Sequence, residues 1–193
     1  MRGLTTVVLD RIVLERGPFR LDADAVFGPG LHVVVGRIGT GKSTLALALA
    51  GGLAPVSGTI RLEGVSRRLW VGQSPWHHLT GATVEDEVTS WGLSAEPLLD
   101  RLGLAGRGAL DPFRLSRGEQ QRLVLGCALA TDADLLVLDE PFAPLDVPGR
   151  VALGRALGTR PGVTIAMTHA DLHLSHVTAR WRIRGGRLDP EET

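Results

Sequence analysis

Apolar and polar positions change rhythm several times along the chain, and each change marks an element. Thr6 to Leu9, Ile12 to Leu14 and Phe19 to Phe27 read as short strands, with turns at Gly17-Pro18 and Gly28-Pro29-Gly30. They predict an antiparallel flank. Leu31-His32-Val33-Val34-Val35 is a buried strand running into a glycine loop, and Thr44 to Ala50 has the Ala/Leu content of a helix. Thr59 to Leu62 and Leu69 to Val71 give further strands. Thr83 to Trp91 and Ala95 to Leu102 predict helices, started by Thr80 or Thr83 and by Ser94. Ser116 to Ala130 reads as a long helix and Leu135-Leu136-Val137-Leu138 as a strand buried on both faces, as in parallel sheets. Beyond it, Val147 to Leu157 and Ala170 to His176 predict helices, Val163 to Thr168 and Ala179 to Arg184 strands, and Asp189 to Thr193 a frayed tail.

Strands alternating with helices predict an α/β fold, here one domain over residues 1–193 with a helical insert at about 74–130. Composition agrees: 193 residues, 44% hydrophobic and 22% charged, suffice for one core. Lys plus Arg and Asp plus Glu each number 21, so no global basic field draws in nucleic acid, and none is expected as a partner. The longest apolar stretch, Leu45 to Val56, is interrupted by glycine and proline and falls short of the ~20 residues that a membrane-spanning helix needs. Met1 to Thr6 does not lead into the apolar core of a secretory signal. The single cysteine, Cys127, lies in an apolar helical stretch and reads as a buried structural thiol. These features suit a cytoplasmic protein.

Of the 21 basic residues only Lys42 is a lysine. Where arginine serves everywhere else, the one retained lysine points to a task that needs a compact ammonium rather than a planar fork. Gly36-Arg37-Ile38-Gly39-Thr40-Gly41-Lys42-Ser43 fits G-x-x-x-x-G-K-[ST] between a buried strand and a helix. Its glycines let successive N–H groups turn inward around phosphate oxygens, and the helix adds its positive end. Lys42 is then placed to bridge β- and γ-phosphates, Ser43 to enter a Mg2+ shell, and Thr44 to bond the α-phosphate. A loop of this kind implies nucleoside triphosphate binding and no more.

Leu135-Leu136-Val137-Leu138-Asp139-Glu140-Pro141 ends a buried strand in two carboxylates, at the edge where ligands of α/β sheets bind. Asp139 suits a Mg2+ held through water, and Glu140 suits alignment or deprotonation of an attacking water. Alone, an acidic loop after a strand would mean little; beside a phosphate loop it is the expected second half of the site.

Leu115-Ser116-Arg117-Gly118-Glu119-Gln120-Gln121-Arg122, one helix upstream of that strand, resembles the signature of ABC ATPases. Physically a Ser-x-Gly turn at a helix start gathers a hydroxyl, N–H groups and the helix dipole on an anion. Gln73 after the strand Leu69 to Val71, Ala143-Pro144-Leu145-Asp146 after the carboxylates, and His169 after the strand Val163 to Thr168 follow in the family's order. The resemblance spans Leu4 to Leu188 and implies an ABC-type nucleotide-binding domain of the P-loop class: a mixed, largely parallel sheet core, a small antiparallel flank and a helical insert. It also implies ATP and Mg2+ between two head-to-tail subunits, identical or paralogous. In that arrangement Ser116 and the Gly118 N–H meet the γ-phosphate on the partner's Lys42, Gln73 touches Mg2+ and the water, Asp146 lies at the seam, and His169 lies near the γ-phosphate. The same likeness implies a membrane-embedded transport subunit, attachment to the inner face of the cell membrane, and solute transport, by preference import.

The stretch from Gln73-Ser74-Pro75 through Thr83-Val84-Glu85-Asp86-Glu87-Val88, with Glu119, is similar to ATPases of energy-coupling-factor importers, although their usual carboxy-terminal extension is missing. Trp76, Leu79 and Trp91 are candidate contacts with a membrane subunit, or core residues. There is no tyrosine, and the family's adenine-stacking aromatic is replaced around Leu14 to Gly17, leaving Arg16 or Phe19 for that task. Arg117 stands where the signature usually has a small residue. Two other classes remain as alternatives: a non-transport ABC protein of repair or translation, for which the chain lacks room or a second domain, and a P-loop kinase or regulatory module, which has no use for Ser116 to Gly118 and His169. His169, His173 and His176, with His77-His78, also permit a metal reading by spacing alone.

Overall fold

Residues 5–143, 145–170, 172 and 174–191 are described by the computed structural model, with Pro75 by its backbone only. Alternating burial runs through β1 (Thr6–Arg16) and β2 (Phe19–Phe27), where Leu21, Ala23, Ala25 and Phe27 face inward. The two pair antiparallel from Arg16↔Phe19. The two short strands expected before Gly17 are one strand, broken in register between Leu9 and Ile12, where Arg11 has φ 46°. β3 (Gly30–Gly36) has six buried residues in seven and leads into α1 (Lys42–Ala50). β4 (Ser57–Glu63) pairs antiparallel with β1, and β5 (Arg68–Val71) closes the first half of the chain. Then come α2 (Val84–Ser90), α3 (Ala95–Arg101) and α4 (Arg117–Ala130), with single 3-10 turns at Pro75–His78 and Pro112–Arg114. β6 (Leu135–Asp139), α5 (Val147–Thr159), β7 (Val163–Thr168), β8 (Val177–Arg184) and β9 (Arg187–Glu191) complete the described chain.

Together the strands make one nine-stranded sheet in the order β4-β1-β2-β9-β8-β3-β7-β6-β5. Its middle is parallel: β3 pairs with both β7 and β8, and β6 pairs with β7. β9 runs antiparallel to β8 and parallel to β2, so it joins the antiparallel flank to the parallel core. The frayed tail expected from Asp189 is therefore wrong as far as Glu191, because the β8–β9 turn at Gly185-Gly186 returns the chain along β8. The helix expected over Ala170 to His176 is absent as well: the described residues there form bends and turns, His176 has φ 64°, and Asp171 and His173 lie outside the described residues. Ala170, Leu172 and Leu174 alternate with polar residues at a period of two, not that of a helix, and Leu172 is buried.

The chain forms two compact units, Met1–Trp70 with Ala133–Thr193, and Val71–Asp132. The first buries a core of Val7, Leu9, Phe27, Val34, Leu45, Leu49, Leu135, Val137, Ile165 and Met167 between α1 and the sheet. The second is helical. Within it Gly126 of α4 lies so close to Leu102 that a Cβ would come within 2.5 Å of its methyls. Cys127 is fully buried there, and burial with the nearby Glu87 charge pushes its thiol up to about 12. That accords with a structural thiol.

Candidate functional site

Register decides where the site falls. Val35 of β3 lies opposite Thr168 of β7, and Asp139 of β6 opposite Met167, so three adjacent parallel strands end at one edge. From that edge leave the loop to Lys42, the Asp139-Glu140 pair and His169. The sequence placed each at a strand end; pairing brings the ends together.

The loop turns through Gly39 and Gly41, and Thr40 bonds the Arg37 carbonyl with both its N–H (3.2 Å) and its hydroxyl (2.8 Å). Gly41 caps α1 at φ 97°, with its Cα against the Phe19 ring: a Cβ there would lie 1.9 Å from Cζ. Both backbone and space therefore require glycine. Phe19 is half-buried against the core and buttresses the loop, whereas Arg16 is exposed. No acidic side chain occupies the first turn of α1, so nothing of that kind opposes an anion at its positive end. Ile38 projects from the loop, 87% exposed, and Ser43 is exposed while Thr44 is buried.

Lys42 is folded back. Its Nζ donates to Gly36 O (2.8 Å) and Arg37 O (3.3 Å) and lies 3.5 Å from Glu140 Oε1. The other carboxylate oxygen of Glu140 meets His169 Nδ1 at 2.9 Å and accepts from the His169 N–H at 3.3 Å. Glu140 thus stands between an ammonium and an imidazole, on a backbone at φ 55° held by Glu140 N–H to Met167 O (2.9 Å). A non-glycine residue in that region costs of the order of 1–3 kcal/mol, and such outliers cluster at functional sites.

Asp139 is buried, and its Oδ1 has no hydrogen-bond partner among the described residues. Burial holds its carboxyl above the ordinary carboxylate range; Ser43's hydrogen bond and Lys42's charge oppose this, while Glu140's charge adds to it. A buried carboxylate oxygen without a donor, beside a serine hydroxyl, is the hard oxygen set that a Mg2+ ion satisfies. The residues fit that ion. Among the described residues no group of three or more His, Cys, Asp or Glu is placed to hold a metal, and His173 of the histidine reading lies outside them.

Asp146 caps α5, its Oδ1 accepting from Gly149 N–H at 2.9 Å; the neighbouring Pro144 is outside the described residues. Gln73, exposed, and Ser116 and Gly118 belong to the second unit. There Ser116 caps α4 in a reciprocal box with Glu119, and the Arg117 guanidinium lies over the Trp76 ring, 5.2 Å from its centroid. Of the candidate docking residues, Leu79 is buried, and Trp91 is half-buried and donates its indole N–H to Glu87 (2.8 Å).

Two residues escaped sequence reading. Glu87 is fully buried and accepts from Thr80 N–H (2.7 Å), Gly81 N–H (2.8 Å) and Trp91. Its signal was a carboxylate on the apolar stripe of α2 beside Val84 and Val88. His78, named in the sequence only within the metal reading, accepts at Nε2 from Gly72 N–H (2.9 Å), next to Gln73, and no sequence pattern marked that role.

Comparison with known proteins gives one consistent picture. A family model described as ABC transporter matches residues 28–143. The thiamine import ATP-binding protein ThiQ of Cereibacter sphaeroides is 34% identical over 192 residues, covering 84% of this chain and 80% of its own. The energy-coupling factor transporter ATP-binding protein EcfA1 of Thermotoga maritima is 33% identical over 191 residues, covering 87% and 73%. A solved ATP-binding subunit of an ABC transporter superposes with a TM-score of 0.77 over 96% of this chain and 88% of that one, at 22% identity, a likeness of fold.

Proposed function

Because the chain belongs to the ABC transporter family, as an ATP-binding transport ATPase, we propose that it works as one ATPase domain over residues 1–193 and energises import through a separate membrane subunit. The observation that carries the catalytic reading is Glu140, held between Lys42 and His169 at the carboxyl edge of the sheet. The phosphate loop, Gly36 to Ser43 with Thr44, binds the triphosphate through its N–H groups. Lys42 leaves the Gly36 and Arg37 carbonyls for the β- and γ-phosphates. That move also frees Glu140 from its counter-charge.

Ser43 and Asp139, with Gln73, hold Mg2+, which when bound neutralises charge on the phosphates. Glu140 orients the attacking water and takes its proton; His169 fixes the carboxylate and faces the γ-phosphate. Ser116 and the Gly118 N–H close on the nucleotide of a second ATPase subunit, a copy or a paralogue, with Asp146 at the seam. Among the described residues no helix is long and apolar enough to cross a membrane. Residence on the inner face of the membrane therefore rests on the membrane subunit. The names of the relatives, thiamine import and energy-coupling factor, support import and leave the solute open.

The test is Glu140→Gln. With ATP and Mg2+ it should trap a nucleotide-bound dimer, seen by sedimentation, with hydrolysis abolished. A variant that stays monomeric with ATP, both alone and with its co-purifying ATPase subunit, would sink the head-to-tail mechanism.

A further inference from the structure

Ser116 has two donors, its N–H and its hydroxyl, and both end on the same atom, Oε2 of Glu119, each at 2.8 Å. The return bond, Glu119 N–H to Ser116 Oγ, is long at 3.4 Å. The hydroxyl proton therefore points at the carboxylate. Glu119 is ionised to match: bonds from Ser116 backbone and side chain hold its carboxyl below the ordinary range, and the charges of Arg107, 3.8 Å away, and Arg122 act the same way.

We infer that Glu119 is a positioning residue that withholds the Ser116 proton, so that closure on the partner's nucleotide must first break the Ser116–Glu119 bond. This rests on the proposed role of Ser116 at the dimer seam. An ionised carboxylate is acceptor-only, so it can hold Ser116 Oγ only by accepting the hydroxyl's hydrogen bond. A phosphate oxygen is also acceptor-only and competes for that proton, and it meets the carboxylate's negative charge as well. A glutamine in the same place removes the charge: its carbonyl still accepts from both Ser116 donors, preserving the box, but as a neutral and weaker acceptor it gives up the hydroxyl proton more readily to a phosphate oxygen.

The experiment titrates ATP into Glu140→Gln protein with and without Glu119→Gln, together with whatever ATPase subunit co-purifies, and reads dimer by sedimentation. Glu119→Gln should lower the ATP concentration for half-dimerisation by about threefold or more, as expected for losing a charge-assisted competitor, with the nucleotide-free melting temperature unchanged. A gain in affinity is not what damage to the helix cap would produce. An unchanged or higher concentration overturns the inference and leaves the dimer reading intact. Absence of any ATP-dependent dimer in the Glu140→Gln parent overturns both.

Discussion

The ammonium of Lys42 and the carboxylate of Glu140 are ion-paired at 3.5 Å, with each side chain only 7% exposed. The site thus balances its own charges, a buried ammonium against a buried carboxylate. Lys42→Met should abolish ATP binding and also destabilise the nucleotide-free protein by about 3 kcal/mol in denaturant unfolding, since it strands a buried carboxylate. Adding Glu140→Gln should return much of that loss. A double-mutant cycle with additive costs would show that the two side chains are uncoupled.

His169 holds the other oxygen of Glu140 at 2.9 Å. His169→Ala should lower kcat by roughly a hundredfold, the smaller end of what acid–base positioning supplies, with little change in KM. Steady-state kinetics decide it. A KM defect with normal kcat would move His169 from chemistry to binding.

Glu87 satisfies three donors inside the helical unit. Glu87→Ala leaves them all without an acceptor and should cost about 3 kcal/mol or more in thermal or chemical unfolding, while Glu87→Gln, which keeps one carbonyl, should cost less. Equal losses would mean that the buried volume, rather than the hydrogen bonds, is what counts.

Two histidines make the fold acid-sensitive. Burial holds both His32 and His78 below the ordinary imidazole value of 6.5, with a bond to Gly28 O opposing this at His32, and at His78 the charge of His77 lowering and that of Glu87 raising. The unfolded chain takes these protons near pH 6.5 and the folded chain only at lower pH. Their contribution to stability is therefore present above pH 6.5 and is lost as pH falls through the folded values. Denaturant midpoints should drop between about pH 7.5 and 5.5, and His78→Gln, which keeps an acceptor for Gly72 N–H, should flatten the slope. A slope unchanged by His78→Gln would remove that residue from the account.

Much of this was legible in the chain because it is local chemistry. β7 was read to the residue from six consecutive buried positions, and the Lys42 loop from its glycines and flanking elements. What the sequence hid was set by partners far along it. The bond from Glu140 to His169 spans 29 residues, and the Phe19 ring on Gly41 depends on how the β1–β2 hairpin meets the phosphate loop. β9 carries Asp189-Pro190-Glu191, a polar segment without apolar alternation, and becomes a strand because β2 and β8 flank it. Conversely, the Ala/Leu/His content of residues 170–176 suggested a helix where the described backbone only bends.

The place of β9 has a consequence in time. The phosphate loop is synthesised well before its support, for β3, which carries it, is flanked by strands beginning at Val163 and Val177, and β9, Arg187–Glu191, stands between β2 and β8. A nascent chain halted at Arg184 would hold a finished nucleotide motif on an unfinished support. Competence to hold ATP should therefore arrive late in synthesis and nearly all at once, and truncations ahead of β9 should be cleared as misfolded protein rather than persist as weak enzymes.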